Sequence, residues 1–433
     1  MSANDTWPTR HLGELAEFRN GVNYNKSSFG EGVKVVGVKD FQDYTKPRYA
    51  ELEQINPDGV VTERNILRDG DIVFVRSNGN RELIGRSLFI ETPPEEVTHS
   101  AFTIRLRFTS REVHPKFYAY LFRTPLIRRG LTAYGGGTNI SNLNQDILSG
   151  LEIPVPPLPV QCRIAGTLSA YDDLIENNRR RIKILEEMAR SLYREWFANF
   201  HFPGHEKVKL VDSPSGKTPA GWNVLTLGDV LQEIESGSRP KGGIDAEERG
   251  IPSIGAENVL GLGQYDYSKE KFVSQKFYES MRRGHVQNRD VLLYKDGAQI
   301  GRKTIFGDGF PHETCCINEH VFALRTNDRC TQAYLFFWLD QPDMTQAICN
   351  LNANAAQPGL NQMSVKGLPI ILPPKPILDE FDKPANQALG LIFNLAKKTN
   401  VLRGTRDLLL PKLISGEINL TSVGPSQQLY QTV

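Results

Sequence analysis

Apolar residues recur along this chain with two different periods. In "DIVFVR" (71–76), "AFTIRLRF" (101–108), "DVLLYK" (290–295) and "HVFALRT" (320–326) they form short runs bounded by glycine or polar residues. Runs of that kind predict β-strands. "HPKFYAYLFRTP" (114–125) and "CTQAYLFFWLDQP" (330–342) read as short helices, each stopped by a proline. A much longer pattern begins at Ile164. Ile164, Leu168, Tyr171, Ile175, Ile182, Leu185, Ala189, Leu192 and Trp196 follow in steps of 4 and 3, with Asn178 filling the one polar place. That is a heptad seam, not the 3.6-residue stripe of an ordinary surface helix. A helix of about 35 residues is roughly 50 Å long, and its seam needs a partner.

The partner lies in the chain itself. Leu12-Gly13 recurs as Leu227-Gly228, Asp71-Ile72-Val73-Phe74 as Asp290-Val291-Leu292-Leu293, and Leu106-Arg107 as Leu324-Arg325. Tyr118 matches Tyr334, and "LEIPVPPLPVQ" (151–161) returns as "LPIILPPKPIL" (368–378). Landmarks kept in order at a nearly constant spacing describe one domain present in two diverged copies. The same shift carries the seam onto Phe381, Ala385, Ala388, Ile392, Leu395, Thr399, Leu402, Arg406, Leu409 and Leu413. Pro384 suits this second helix if the helix starts there, where no backbone donor is required.

The expected fold class is therefore α/β in the α+β sense. Two tandem domains of mixed β-structure are joined by two long helices, which a pseudo-two-fold axis makes antiparallel. The divisions fall at 1–155 (domain), 156–205 (helix), 206–372 (domain), 373–420 (helix) and 421–433 (polar tail). Asn178 either fixes the register of the helix pair as a buried polar group or is a solvated position at a loosely packed spot.

"DGAQIGRKT" (296–304) has the look of a phosphate loop, but only three residues separate Gly297 from Gly301 and Arg302 stands where a lysine belongs. A ring of backbone amides around phosphate needs four. Gly85-Arg86-Ser87 repeats the pattern of Gly301-Arg302-Lys303, so the glycines belong to a strand–loop–strand connection used in both copies.

Composition narrows the class further. The 433 residues are 39% hydrophobic and 23% charged, as in soluble globular proteins. There is no apolar run of the roughly 20 residues that span a bilayer, and the N-terminus lacks a signal-peptide pattern, which predicts a cytoplasmic protein without membrane association. Five cysteines without a C-x-x-C pair fit a reducing compartment. With 51 Lys+Arg against 50 Asp+Glu the net charge is +1, so any nucleic-acid face must come from local clustering.

Several stretches carry a resemblance to a known family: "LRDGDIVFVR" with "IGRS", "VQNRDVLLYKDGAQIGRKTI", the run from "LSGLEIPVPPLPVQCRIAGTLSAYDDLIENNRRRIKILEEM" to "REWF", and "KGLPIILPPKPILDEFDK" with "LRGTRDLLLPKLISGEI". The chain resembles the specificity subunit of Type I restriction–modification systems from about Leu12 to Ile418. The Pro-Pro-Leu-x-x-Gln step into the helix and the Asp-x-x-Ile-x-x-Asn step within it are the most specific parts. The second copy departs from the pattern, since "PPKPILDEF" has no glutamine. The resemblance implies two target recognition domains reading a bipartite, asymmetric site on double-stranded DNA. It also implies a helix pair that sets the spacing, two docked methyltransferase subunits, and motor–nuclease subunits added to that core. The chain itself is then non-catalytic and binds no cofactor, while the complex uses S-adenosylmethionine, ATP and Mg.

Reading base edges requires Arg, Lys, Asn or Gln on loops that can enter a groove, while phosphate contacts position those loops. Three loops per copy offer them. The first holds Arg19, Asn23, Asn25 and Lys26, matched by Ser238, Arg239 and Lys241. The second holds Arg76, Asn78, Asn80 and Arg81, matched by Lys295, Gln299, Arg302 and Lys303. The third is glycine- and asparagine-rich, with Thr138 and Asn139, matched by Asn354 and Gln357. "NNRRRIK" (177–183) is a weaker candidate for phosphate contact, because residues 171–200 hold six basic and six acidic side chains.

Enzyme motifs are missing: no G-x-S-x-G, H-E-x-x-H or Asn-Pro-Pro-aromatic signature occurs. His312, Cys315, Cys316 and His320 in "HETCCINEH" are zinc-type ligands, but the matching "EEVTHSAF" has no such set, so no metal is expected. The alternative from another class is a coiled-coil adaptor whose repeated domains bind protein.

Overall fold

The computed structural model describes residues 7–41, 45–133, 143–214, 216–241, 250–297, 299–353 and 359–418. The chain forms two compact units. One comprises residues 1–172 with 404–433, the other residues 173–403. The units thus divide inside both long helices rather than at their ends.

Each unit repeats one plan. In the first, a four-stranded antiparallel sheet runs in the order Ala16–Asn20, Thr103–Phe108, Ile72–Val75, Ser87–Phe89. In the second the order is Leu231–Ser236, Val321–Thr326, Val291–Tyr294, Lys303–Ile305. A three-stranded mixed sheet accompanies each: Glu53–Ile55, Phe29–Val36, Val97–His99 in one, and Phe272–Val273, Ile251–Ile254, Cys316–Ile317 in the other. A strand pair closes each unit, Thr9–His11 with Glu152–Pro154 and Asn223–Thr226 with Pro369–Leu372. The repeat landmarks now have a physical meaning. Arg107 makes paired hydrogen bonds of 2.7 and 2.6 Å to Asp71, and Arg325 makes two of 2.8 Å to Asp290. Asp71 and Asp290 are both almost fully buried, so neither charge is tolerable without its arginine.

Pro125 and Pro342 do more than stop a helix. Pro115–Leu121 and Gln332–Leu339 are helical as expected, but each proline opens a further helix, Pro125–Ala133 and Pro342–Ala353. Proline's fixed φ and missing donor suit that first position.

The central helix spans Leu158–Tyr193 and ends in a π-turn, Arg194–Ala198. The C-terminal helix spans Lys375–Ile414. It therefore starts nine residues before Pro384, which lies in its interior. An interior proline costs about 3 kcal/mol. Leu378 and Phe381, both fully buried, recover roughly 1.5–3 kcal/mol each by holding the first turns in the core.

The seam positions face inward to different degrees. Ile164, Leu168, Ile175, Ile182, Ile392 and Leu395 are buried, while Tyr171, Leu185, Leu192, Leu402 and Leu409 are partly buried. Within the second unit Tyr193 packs on Phe381, ring centroids 6.1 Å apart. A Cβ placed on Gly263 would lie 2.7 Å from Ile392 and 3.3 Å from Ile182. Numbers rise along one helix as they fall along the other, so the pair is antiparallel. Within the first unit, Ile164 and Leu168 share a core with Leu410 and Leu413. Asn178 is buried, at 8% exposure, which removes the solvated reading.

Both motif steps into the helix are structural. Asp172 accepts hydrogen bonds from the Tyr120 hydroxyl at 2.6 Å and from Arg406. Gln161 is fully buried; its amide donates to the carbonyls of Glu112 and Pro156, and its carbonyl accepts from His114 N–H at 2.8 Å. His114 is the N-cap of a helix and has no side-chain cap of its own. In the second unit, the corresponding N-cap, Thr331, caps its helix with its own hydroxyl and donates to Asp382 at 2.7 Å. That change frees the glutamine's position to be the buried Leu378. Gln161→Leu should cost about 1–3 kcal/mol, because one N–H and two carbonyls lose their partner. A melting temperature equal to the wild type's would show that water replaces the amide.

Candidate nucleic-acid interface

One turn organises each unit's candidate loops. In the first unit it is Ser100-Ala101-Phe102, just before the strand Thr103–Phe108. Ala101 N–H donates to Val22 C=O of the first loop, and Arg76 N–H of the second loop donates to Phe102 C=O, both at 2.8 Å. Leu143 N–H, which follows the third loop, donates to Arg76 C=O at 2.9 Å. In the second unit, Lys295 N–H donates to His320 C=O at 3.1 Å and Leu360 N–H to Lys295 C=O at 2.7 Å. These bonds make Phe102 and His320 equivalent positions on one frame. In the first loops, Asn20 pairs with Ile104 and Ser236 with Phe322, which makes Asn23 and Arg239 equivalent as well.

The repeated glycines belong to this frame. Gly85 and Gly301 have φ of +72° and +86°, and their N–H groups donate to Val75 C=O and Tyr294 C=O. Each packs closely on a following helix, Gly85 against Leu131 and Gly301 against Ile348 and Cys349. The left-handed conformation and the close helix explain why glycine occurs twice.

Most of the sequence candidates lie on the converging loops. Asn23, Asn25, Lys26, Asn80, Arg239, Lys241 and Gln299 are exposed, and Asn78, Arg76, Ser238, Lys295 and Arg302 are partly exposed. Several also shape the loops. Asn25 caps a short turn through Ser27 N–H, Asn78 accepts from Asn80 N–H at 2.8 Å, and Asn80 accepts from Glu82 N–H at 3.0 Å. Lys295 lies over the Phe322 ring at 5.0 Å. Arg19 sits on the strand Ala16–Asn20, behind the loop, paired in register with Arg105. Lys303 turns inward instead. Its side chain is 8% exposed and donates to the Thr345 hydroxyl, and burial lowers its pKa. It ties the strand to a helix and does not reach the loop surface. The side chain of Arg81, and Thr138, Asn139, Asn354 and Gln357, lie outside the described residues.

The zinc-type residues go separate ways. His312 pairs with Glu270, and His320 with Asp296. Burial pushes the Cys315 thiol up to about 12 and the Cys316 thiol to about 11. No group of three or more His, Cys, Asp or Glu converges among the described residues.

Sequence reasoning missed Phe102 and Glu319. Phe102 is 61% exposed and, with Tyr24 and Asn78, lines an open cleft of about 400 Å³. Ser100 lines the same cleft, and its Oγ and the Nε2 of the preceding His99 are buried without a partner. Burial, reinforced by Arg105, pushes His99 down to about 3. The second unit presents charge at the same place. His320 Nδ1 donates to Asp296, 2.9 Å from both oxygens, which leaves Nε2 to accept from Arg239 Nη2 at 2.9 Å. Arg239 also pairs with Glu319.

A known family matches the chain in two segments, one in each copy. The family model described as the Type I restriction modification DNA specificity domain matches residues 4–187 and 219–388. The chain belongs to that family. It is 28% identical over 306 residues to the Type I restriction enzyme MjaIX specificity subunit of Methanocaldococcus jannaschii, covering 70% of this chain and 69% of that one. It is 23% identical over 388 residues to the EcoKI specificity subunit of Escherichia coli strain K12, covering 83% and 81%. The crystal structure of an S subunit from M. genitalium has the same fold, with a TM-score of 0.60 at 17% identity, covering 95% of this chain and 98% of that one. No described helix is long and apolar enough to cross a membrane.

Proposed function

We propose that this chain is the DNA-reading subunit of a type I restriction–modification complex. Each unit reads one part of a bipartite, asymmetric target through its three loops. One observation carries this reading: the same hydrogen-bonded frame occurs twice, holding Phe102 and Asn23 in one copy where His320 and Arg239 stand in the other. A frame preserved under divergent loop tips is what two readers of different sequences require.

The antiparallel helices fix the spacing of the half-sites and dock two methyltransferase subunits. Ile184, Met188 and Leu391 suit docking, being apolar yet 55%, 62% and 42% exposed. Motor–nuclease subunits join that core in the cytoplasm. The chain is non-catalytic and binds no cofactor. S-adenosylmethionine, ATP and Mg serve the partner subunits.

Single-molecule methylation sequencing of host DNA with the gene intact and deleted is the direct test. Deletion should abolish one split, asymmetric methylated motif. Exchanging residues 206–372 for those of another family member should then rewrite one half only. Salt separates this reading from that of a protein-binding adaptor, since affinity of the assembled complex for duplex DNA should fall steeply with ionic strength.

A further inference from the structure

The equivalent tips differ in chemistry, and the difference predicts what each half-site contains. Phe102 is held on a rigid turn: Arg76 N–H and Ser77 N–H both donate to its carbonyl, at 2.8 and 3.3 Å. Its ring is 61% exposed at the mouth of the cleft, facing no core. A large exposed aromatic on a fixed turn costs apolar hydration unless something covers it. Asn78 lines the same cleft. In the major groove an A·T pair presents the thymine C5-methyl to apolar side chains and adenine N6/N7 to an asparagine amide.

The second unit presents the opposite chemistry at the same place. Arg239 is aimed by a chain of contacts, Asp296 to His320 to Arg239, and lies beside Glu319. Glu319 Oε1 takes the arginine, while Oε2 is buried and without a partner. A G·C pair presents two acceptors on guanine, O6 and N7, and one donor on cytosine, N4. Arg239 gives Nη2 to His320 and Glu319, and its guanidinium carries further N–H donors to offer guanine N7.

We infer that the first unit reads an A·T pair through Phe102 and Asn78, and the second reads a G·C pair through Arg239, which Glu319 and His320 position. The inference rests on the DNA-reading role proposed above and adds the base pair at one position of each half-site.

Base analogues test it first on the wild-type protein. The full chain, purified with its partner subunits, is titrated with duplexes carrying its own methylated motif. Uracil for thymine removes only the C5-methyl. At one position in the half-site assigned to the first unit by domain exchange, it should weaken wild-type binding about fourfold. Phe102→Ala should show no further loss there. At one guanine of the other half-site, 7-deazaguanine should weaken binding roughly 5- to 100-fold, and Arg239→Gln should abolish that sensitivity. Insensitivity of the wild type at every thymine of the first half or every guanine of the second would overturn the inference, as would sensitivity that survives the matching substitution. Gene deletion that removes no methylated motif would instead overturn the DNA-reading role, and the inference with it.

Discussion

Arg325→Met is expected to cost the second unit about 3–5 kcal/mol, the loss that follows removal of one partner from a buried ion pair. Besides its paired bonds to Asp290, Arg325 donates to Glu233 at 2.6 Å, to Glu235 at 3.0 Å and to the His285 carbonyl at 2.6 Å. Methionine replaces the volume but leaves Asp290 and Glu235 buried and unpaired, at 1% and 7% exposure. In a unit of this size the melting temperature should fall by about 10 °C. The loss should also depend on pH. Burial already raises the pKa of Asp290, against the pull of the Arg325 hydrogen bond, and without the arginine it rises further. An acid whose folded pKa lies above its unfolded value binds more protons when folded, so stability falls as pH rises through that range. Calorimetry of the variant should therefore show a smaller deficit at pH 5 than at pH 7.5. An equal deficit at both would mean that the carboxyls are not the cause. Arg239→Gln, at an exposed loop tip, is the control and should leave melting unchanged.

That arginine was visible in the sequence as a letter and not as a role. Asp290 and Arg325 are landmarks of the repeat, yet nothing in their spacing says that they meet inside the sheet. The long helices and the four core strands were legible because their apolar residues repeat over enough positions to define a period. Strands of two or three residues, such as Phe272–Val273 and Cys316–Ile317, carry no period, so these edges of the three-stranded sheets were not legible. Pro384 misled because the burial of Leu378 and Phe381 outweighs a local rule. At the candidate site the first two loops of each copy could be placed from the sequence, since glycine, asparagine and basic residues mark them. The direction of a side chain was not. Lys303 and Arg302 are neighbours in an alternating segment, and only the pleat sends the lysine inward. Phe102 passed as part of the run "AFTIRLRF", and His320 drew notice only as a metal ligand.

Phe381→Ala should cost about 3–5 kcal/mol, as expected for truncating a fully buried aromatic. The ring lies 4.9 Å from Phe197, 6.0 Å from Trp196 and 6.2 Å from Phe337, in addition to its contact with Tyr193. It thus joins the start of the C-terminal helix to the end of the central helix and to the helix Gln332–Leu339. Phe381→Leu, which keeps much of the volume, should cost far less. The functional expectation differs in kind from that for the loop tips. Phe381 is in the second unit's core and offers nothing to a base, so its loss should lower the fraction of target sites methylated while leaving the motif unchanged. Methylation sequencing of a strain carrying Phe381→Ala measures both quantities at once. A changed motif would mean that the seating of this helix adjusts the second unit's loops, and the reading surface would then extend into the core that holds it.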